Sequence, residues 1–185
     1  MDFQTVSGSA TILAGQQSVL IDINVLDDSI LEDNESITVT LDQISSGNPA
    51  IAISSNDTAS VVIADDDSAT VNIIATDPDA SEPSDAGQFA VTLDFASDTD
   101  TTVSYTVSGD AIQGTDVVAL SGTVTIPAGE TFAIIDLSVI DDDLVESTET
   151  LSVTLDQITA GDSEISVGTN TVSYTHLTLP TIYSV

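Results

Sequence analysis

The chain has 185 residues, with 31 Asp and Glu, no Lys and no Arg, so its formal net charge is −31 at pH 7. Nucleic-acid binding requires Lys or Arg to neutralise phosphates and release counterions, so this class of function is excluded. Self-repulsion at this charge opposes a compact state, and we therefore expect a cationic partner. Hydrophobic residues nevertheless make up 41% of the chain. Highly charged disordered chains are poor in such residues, so this chain is expected to fold.

The sequence contains no Cys, which excludes disulfides, thiolate metal sites and cysteine nucleophiles. No apolar run approaches the roughly 18 residues of a transmembrane helix, so no membrane insertion is expected. Met1 is not followed by the charged and apolar regions of a signal peptide. We therefore interpret the sequence as an internal piece of a longer protein.

The first predicted elements are strands with one apolar face. Apolar side chains recur at every second position, which is typical of strands that bury one side. The positions are Val19, Ile21, Ile23, Val25, Ile37, Val39 and Leu41. We expect these faces to lie in a core.

Six further strands are predicted, separated by Gly, Asp, Ser and Pro turns. They are expected near residues 69–76, 87–95, 101–108, 122–126, 131–140 and 149–158. Phe89, Phe95 and Tyr105 fall on alternating positions, and we interpret them as core residues. A seventh strand is expected after Asn170. Helix signals are absent, and seven short strands in about 100 residues favour an immunoglobulin-like β-sandwich.

These strands belong to an internal repeat. A shift of 114 positions aligns Asp2–Asn56 with Asp116–Asn170 without a gap, and 23 of the 55 aligned residues are identical. A period of this length is typical of tandem domains rather than of solenoid turns. We therefore predict two domains, residues 1–67 and 68–171, with the first copy truncated at its N-terminus.

The C-terminus departs from the repeat, because residues 171–185 contain no acid. The segment Val172–Thr181 resembles a conceptual translation of a transposon-based sequencing adapter. We therefore expect residues 172–185 to be an artefactual tail and the second copy to lack its native last strand. Raw nucleotide reads with native codons across this segment would contradict that expectation.

Acidic residues gather at equivalent turns of the two copies. The groups are Asp27, Asp28, Glu32 and Glu35, then Asp65, Asp66 and Asp67, then Asp141, Asp142, Asp143, Glu146 and Glu149. Carboxylates held close together repel and raise one another's pKa unless a cation lies between them. Ca²⁺ is the favoured cation, because it accepts about 6–8 oxygens in flexible geometry. Mg²⁺ needs strict octahedral ligation, and Zn²⁺ prefers His or Cys.

Acidic runs at strand ends are also typical of solvated turns and of edges protected against aggregation. We prefer that interpretation for the isolated Asp22, Asp94, Asp110 and Asp136. On this view the chain is a metal-independent protein-binding, carbohydrate-binding or spacer domain. Aromatic residues make up only 4% of the chain and Trp is absent, so carbohydrate binding is a weaker hypothesis than protein binding. No pattern indicates a substrate cleft between paired carboxylates, so we expect no enzyme.

The motifs of both copies resemble the Calx-beta repeat family. In the second copy the resemblance rests on Gly122–Thr131, on Ile140-Asp141-Asp142-Asp143 with Glu146 and Glu149, on Val153-Thr154-Leu155, and on Gly114-Thr115-Asp116. In the first it rests on Ala59–Asp67. The resemblance covers residues 2–171. It implies an all-β fold of tandem, seven-stranded, immunoglobulin-like antiparallel β-sandwiches. Such repeats serve as calcium sensors in sodium/calcium exchangers and as extracellular repeats in bacterial surface and adhesion proteins.

The resemblance also implies calcium ligands at one end of each sandwich. In the second copy the implied ligands are Glu82, Asp116, Asp141, Asp142, Asp143 and Glu146. In the first copy they are Asp2, Asp27, Asp28, Glu32, Asp65, Asp66 and Asp67, with Ser29 in place of the third loop Asp. A secreted or cell-surface bacterial protein is implied, with calcium ions, neighbouring repeats and a cell-surface or matrix ligand as partners.

Overall fold

The computed structural model describes residues 2–4, 6, 8–144, 147–168 and 172–178. All regular secondary structure within these ranges is β-strand, so the predicted all-β class is confirmed. None of the described residues forms a helix long and apolar enough to span a membrane.

Two compact units make up the chain. The first unit comprises Met1–Asp28 and Asp33–Asp66, and the second comprises Ser29–Glu32 and Asp67–Val185. In the first unit, strand β1 (Glu35–Thr40) pairs antiparallel with β2 (Thr58–Ile63) in a two-stranded sheet.

The second unit is a β-sandwich of two sheets. Its strands are β3 (Ala69–Asp77), β4 (Asp79–Ser81), β5 (Gly87–Leu93), β6 (Thr101–Gly109), β7 (Thr123–Ile126), β8 (Phe132–Leu137), β9 (Glu149–Ala160), β10 (Ile165–Val167) and β11 (Val172–Thr178). One sheet has the order β10-β3-β5-β8 and the other the order β4-β11-β9-β6-β7. Neighbours pair antiparallel except β10 with β3 and β11 with β4. All six strands predicted for this region are present.

The core lies between the two sheets of the second unit. Alternate residues of β3, β5, β6 and β9 point inward, among them Val71, Val91 and Leu151, each 0% exposed. Phe89 and Tyr105 are buried in this core, as predicted. Phe95 is 47% exposed, so its assignment to the core was wrong. It lies beyond Leu93, where β5 ends and the alternation of faces no longer applies.

The first unit does not bury the apolar face predicted for Val19 to Val25. Val19, Ile21 and Val25 are 42%, 38% and 57% exposed, and no strand is assigned at residues 19–24. The counterparts of Val19 and Ile21, which are Ala133 and Ile135, belong to β8, and β8 pairs with β5. No strand among the described residues pairs with residues 19–24. Leu41 is likewise 50% exposed.

Strand β11 occupies the place of the expected seventh strand. It pairs antiparallel with β9, from Val172 opposite Thr154 to Leu177 opposite Glu149. The adapter origin of residues 172–185 concerns the nucleotide sequence and stays a prediction.

Candidate metal centre

Glu82 lies in a tight turn directly after β4. The backbone amides of Ser81 and Asp85 each donate to the other residue's carbonyl, with N···O distances of 2.9 and 2.7 Å. The hydroxyl of Ser81 also lies 3.4 Å from Oδ2 of Asp85. These bonds close the turn between β4 and β5 and fix the backbone position of Glu82 within it.

Asp116 lies in the turn after β6 and is only 4% exposed. Its Oδ2 accepts a hydrogen bond from the Ile112 amide at 2.6 Å, and its own amide donates to the Ile112 carbonyl at 2.9 Å. The Asp116 carbonyl accepts from the amide of Ile140 at 2.9 Å. Asp116 is therefore joined directly to the strand end that precedes the Asp141–Asp143 run.

The Asp141–Asp143 run follows the β-bridge between Val117 and Val139. Oδ1 of Asp142 accepts a hydrogen bond from the Leu144 amide at 2.6 Å, which bends the chain back over a short turn. Asp142 is half-buried, whereas Asp141 and Asp143 are exposed. The bend allows neighbouring carboxylates to face one side, which an extended strand would prevent.

The carboxylate of Glu82 connects the turn after β4 with the loop that contains Asp141 and Asp142. Its Oε2 atom is buried without a hydrogen-bond partner in the described part of the chain. Removal of the carboxylate from water raises the pKa of Glu82, and the negative charges of Asp142, Asp141 and Asp116 raise it further. The backbone amide of Asp142 donates a hydrogen bond to Glu82 and opposes this rise. Four of the six predicted ligands of the second copy are thus electrostatic neighbours.

These four residues do not form a ready-made metal cage. Within residues 8–144 and 147–168, no three acidic side chains converge closely enough to hold a metal ion. Ca²⁺ requires about six or more oxygens, so binding would require the loop and Glu82 to move closer together. The role of Asp143 as a ligand stays a prediction. Glu146, the sixth predicted ligand, lies outside the described residues.

The first copy repeats the same backbone arrangement around Asp2. The Leu26 amide donates to the Asp2 carbonyl at 2.8 Å, as Ile140 does to Asp116. Phe3 and Val25 form the β-bridge that corresponds to Val117 and Val139. Both relationships follow the 114-residue shift, so the repeat predicted from sequence is present in backbone hydrogen bonding. A hydrogen bond between the side chains of Asp2 and Glu35 lowers the pKa of Asp2.

A family profile decides what these two copies are. The profile of the Calx-beta domain matches residues 1–67 and again residues 68–179. The chain belongs to the Calx-beta family. No curated protein sequence matches the chain significantly.

Solved structures similar to this Calx-beta chain include several Calx domains. The apo-form Calx CBD1 domain is 17% identical, with a TM-score of 0.48, and the match covers 60% of this chain and 98% of that one. The Calx CBD2 domain is 14% identical at a TM-score of 0.46, with 58% and 85% covered. The calcium binding domain CBD12 of CALX1.1 is 19% identical at 0.45, and this match spans 58% of this chain and 44% of that structure.

The ligands predicted for the first Calx-beta copy fall in both units. Asp2, Asp27, Asp28, Asp65 and Asp66 belong to the first unit, whereas Glu32 and Asp67 belong to the second. Asp27, Asp28 and Asp66 are exposed, and Asp2, Glu32, Asp65 and Asp67 are half-buried. Their roles as ligands stay predictions.

Glu149 is a candidate that the ligand set of the second Calx-beta copy omitted. It begins β9, and its Oε2 atom is buried. The next residue, Thr150, accepts hydrogen bonds at its carbonyl from the amides of Asp110 and Ala111, which places Glu149 beside the turn that holds Asp116. The 114-residue shift makes Glu149 the counterpart of Glu35, the side-chain partner of Asp2. That equivalence was available from the sequence.

Proposed function

We propose that this Calx-beta chain is a calcium-binding structural and adhesive repeat module of a secreted or cell-surface bacterial protein. Its ions would be bound by clustered carboxylates at the ends of the sandwiches and at the joint between the domains. The observation that carries this proposal is Glu82, whose Oε2 atom is buried and whose carboxylate is subject to the negative charges of Asp142, Asp141 and Asp116.

A cation would resolve the electrostatic cost of this arrangement. Buried carboxylates without compensation are disfavoured, and like charges nearby add to the penalty. Lys and Arg are absent from the sequence, so no cationic side chain except that of the single His is available to neutralise them. A hard divalent cation with flexible coordination would neutralise two charges and accept several oxygens at once. The proposed second-copy ligands are Glu82, Asp116, Asp141, Asp142, Asp143 and Glu146.

The proposed location outside the cell would couple binding to folding. A ligand that binds only the folded state stabilises it by RT ln(1 + [L]/Kd). Calcium is scarce inside cells and abundant outside, so the acidic turns would repel before secretion and become compact after it. The same reasoning applies to the proposed first-copy ligands Asp65, Asp66 and Asp67, which directly precede β3.

Calorimetric titration of the full chain with CaCl₂ tests the proposal. We expect saturable binding that MgCl₂ at the same concentration does not reproduce, because Mg²⁺ tolerates irregular oxygen cages poorly. Thermal unfolding with CaCl₂ should give a higher Tm than unfolding with EDTA. Identical melting curves in both solutions, with no heat of binding, would reject calcium binding by this chain.

One observation favours a second candidate function. Because no three described acids converge on a common point, the acidic turns are also compatible with a metal-independent spacer or protein-binding domain. In that case the chain would bind a protein or glycan array equally in CaCl₂ and EDTA. Binding lost in EDTA would exclude this alternative.

A further inference from the structure

A four-residue segment, Ser29–Glu32, belongs to the second unit although it precedes the rest of that unit by many residues. The Leu31 amide donates a hydrogen bond to the Ala96 carbonyl at 3.0 Å, and the Asp98 amide donates to the Leu31 carbonyl at 3.0 Å. Leu31 and Ser97 thereby form a parallel β-bridge. Both backbone polar groups of Leu31 are therefore satisfied by the loop between β5 and β6.

Leu31 is also part of the hydrophobic core of the second unit. Its side chain is 0% exposed and belongs to the same buried cluster as Val71, Leu93 and Val103. Its neighbour Ile30 is 41% exposed, and Glu32 is only half-buried. Leu31 is thus the one fully buried side chain of this segment.

The loop that receives Leu31 is fixed by hydrogen bonds of its own. The Ser97 carbonyl accepts from the Gly129 amide at 2.8 Å, and Oδ1 of Asp100 accepts from the Ala128 amide at 2.9 Å. These bonds tie the β5–β6 loop to the turn between β7 and β8 without involving Leu31. The β5–β6 loop is therefore preorganised, which lowers the entropic cost of ordering it when the segment Ser29–Glu32 docks.

We propose that the Ala96–Asp98 loop is a docking site for the chain's own segment Ser29–Glu32, with Leu31 as the anchor residue. The recognition combines main-chain pairing of an added strand with one apolar pocket. Loss of the anchor would leave a void in the core and two backbone groups, the Ala96 carbonyl and the Asp98 amide, without their partner. No metal ion takes part, so this proposal stands or fails independently of calcium binding.

Hydrogen exchange on the full chain in EDTA tests the docking. In Leu31→Ala we expect the amides of residue 31 and Asp98 to exchange at least about tenfold faster than in the wild type, since their protection depends on docking. The Tm of the second unit should also fall by several degrees. Ile30→Ala removes an apolar side chain next to the anchor and should change neither quantity, and Leu31→Met should retain most of the protection because its volume is similar.

Three results would overturn the proposal. The first is an Asp98 amide that exchanges as fast in the wild type as in an unfolded peptide, a result that needs no folded variant. The second is equal acceleration by Ile30→Ala and Leu31→Ala. The third is wild-type protection at Asp98 that disappears on dilution, because a second copy would then supply the segment.

Discussion

The backbone amide of Asp142 donates a hydrogen bond to the carboxylate of Glu82. This bond joins the turn after β4 to the loop after β8, two segments that lie far apart in the sequence. It lowers the pKa of Glu82, but removal of the carboxylate from water and the charges of three Asp residues act in the opposite direction and prevail. The balance of these effects leads to a pH prediction.

Glu82→Gln should stabilise the chain in EDTA near neutral pH. Because the pKa of Glu82 is raised in the folded state above its ordinary 4.5, the folded state binds more protons than the unfolded state as pH rises past that value. The penalty is therefore absent below about pH 4.5 and grows above it. Thermal unfolding from pH 4 to pH 7 should show a Tm advantage for Glu82→Gln that is absent at pH 4 and grows as the pH rises above about 4.5.

The matched control is Glu130→Gln, which removes the same charge at an exposed position. It reports how much of the effect comes from lower net charge alone. An equal gain in Tm for both variants at pH 7 would contradict a specific penalty at Glu82.

Asp142→Asn should blunt the rise in Tm that calcium is proposed to cause. The variant keeps the backbone amide that binds Glu82 and an Oδ1 acceptor for the Leu144 amide, so the loop geometry is retained. It removes one carboxylate charge from the proposed ligand set. At a free calcium concentration of about 100 times Kd, the wild type should gain about 2.7 kcal/mol in its free energy of unfolding. The variant should need a higher calcium concentration for the same gain. Asp94→Asn, at an exposed position after β5, should respond to calcium like the wild type.

Phe89→Ala should destabilise the second unit by about 3–5 kcal/mol, the usual cost of truncating a fully buried aromatic residue. Phe89 is 0% exposed in the core between the sheets. Phe95→Ala makes the same chemical change at a residue that is 47% exposed and should cost far less. Urea unfolding monitored by circular dichroism measures both variants. Similar losses for the two would contradict the assignment of Phe95 to the surface.

Gly109→Ala should also lower the stability of the second unit. Gly109 has φ +130°, a conformation that L-residues with a Cβ rarely adopt, and an added Cβ would collide with the Thr150 carbonyl. Gly8→Ala is the control, since a Cβ there meets no atom within 4 Å. Thermal unfolding should show a lower Tm for Gly109→Ala only, and an unchanged Tm would mean that the junction of β6 and β9 relaxes without cost.

Much of the second unit could be predicted from local pattern. Alternating apolar residues define β3, β5, β6 and β9, because each of these strands buries one face against the opposite sheet. Strands β4 and β10 were not predicted, since three residues are too few to show a period of two. The same pattern failed at Val19 to Val25, because alternation of apolar residues does not show whether a second sheet covers the apolar face.

The candidate site was less predictable than the fold. Sequence clustering brought Asp141 and Asp142 together, but the approach of Glu82 and Asp116 was implied only by the family resemblance. It depends on the turn closed by Ser81 and Asp85, which has no periodic signal. The burial of Leu31 could not be predicted either, because its partner loop at Ala96–Asp98 is remote in sequence and pairs through backbone atoms that any residue could supply.

Strand β4 ends one residue before Glu82 and pairs with β11, with Ser81 opposite Thr178. The position of the Glu82 carboxylate therefore depends on the C-terminal strand. A change in residues 172–178 that weakens the pairing of β11 with β4 would therefore disturb the proposed ion site through the position of Glu82.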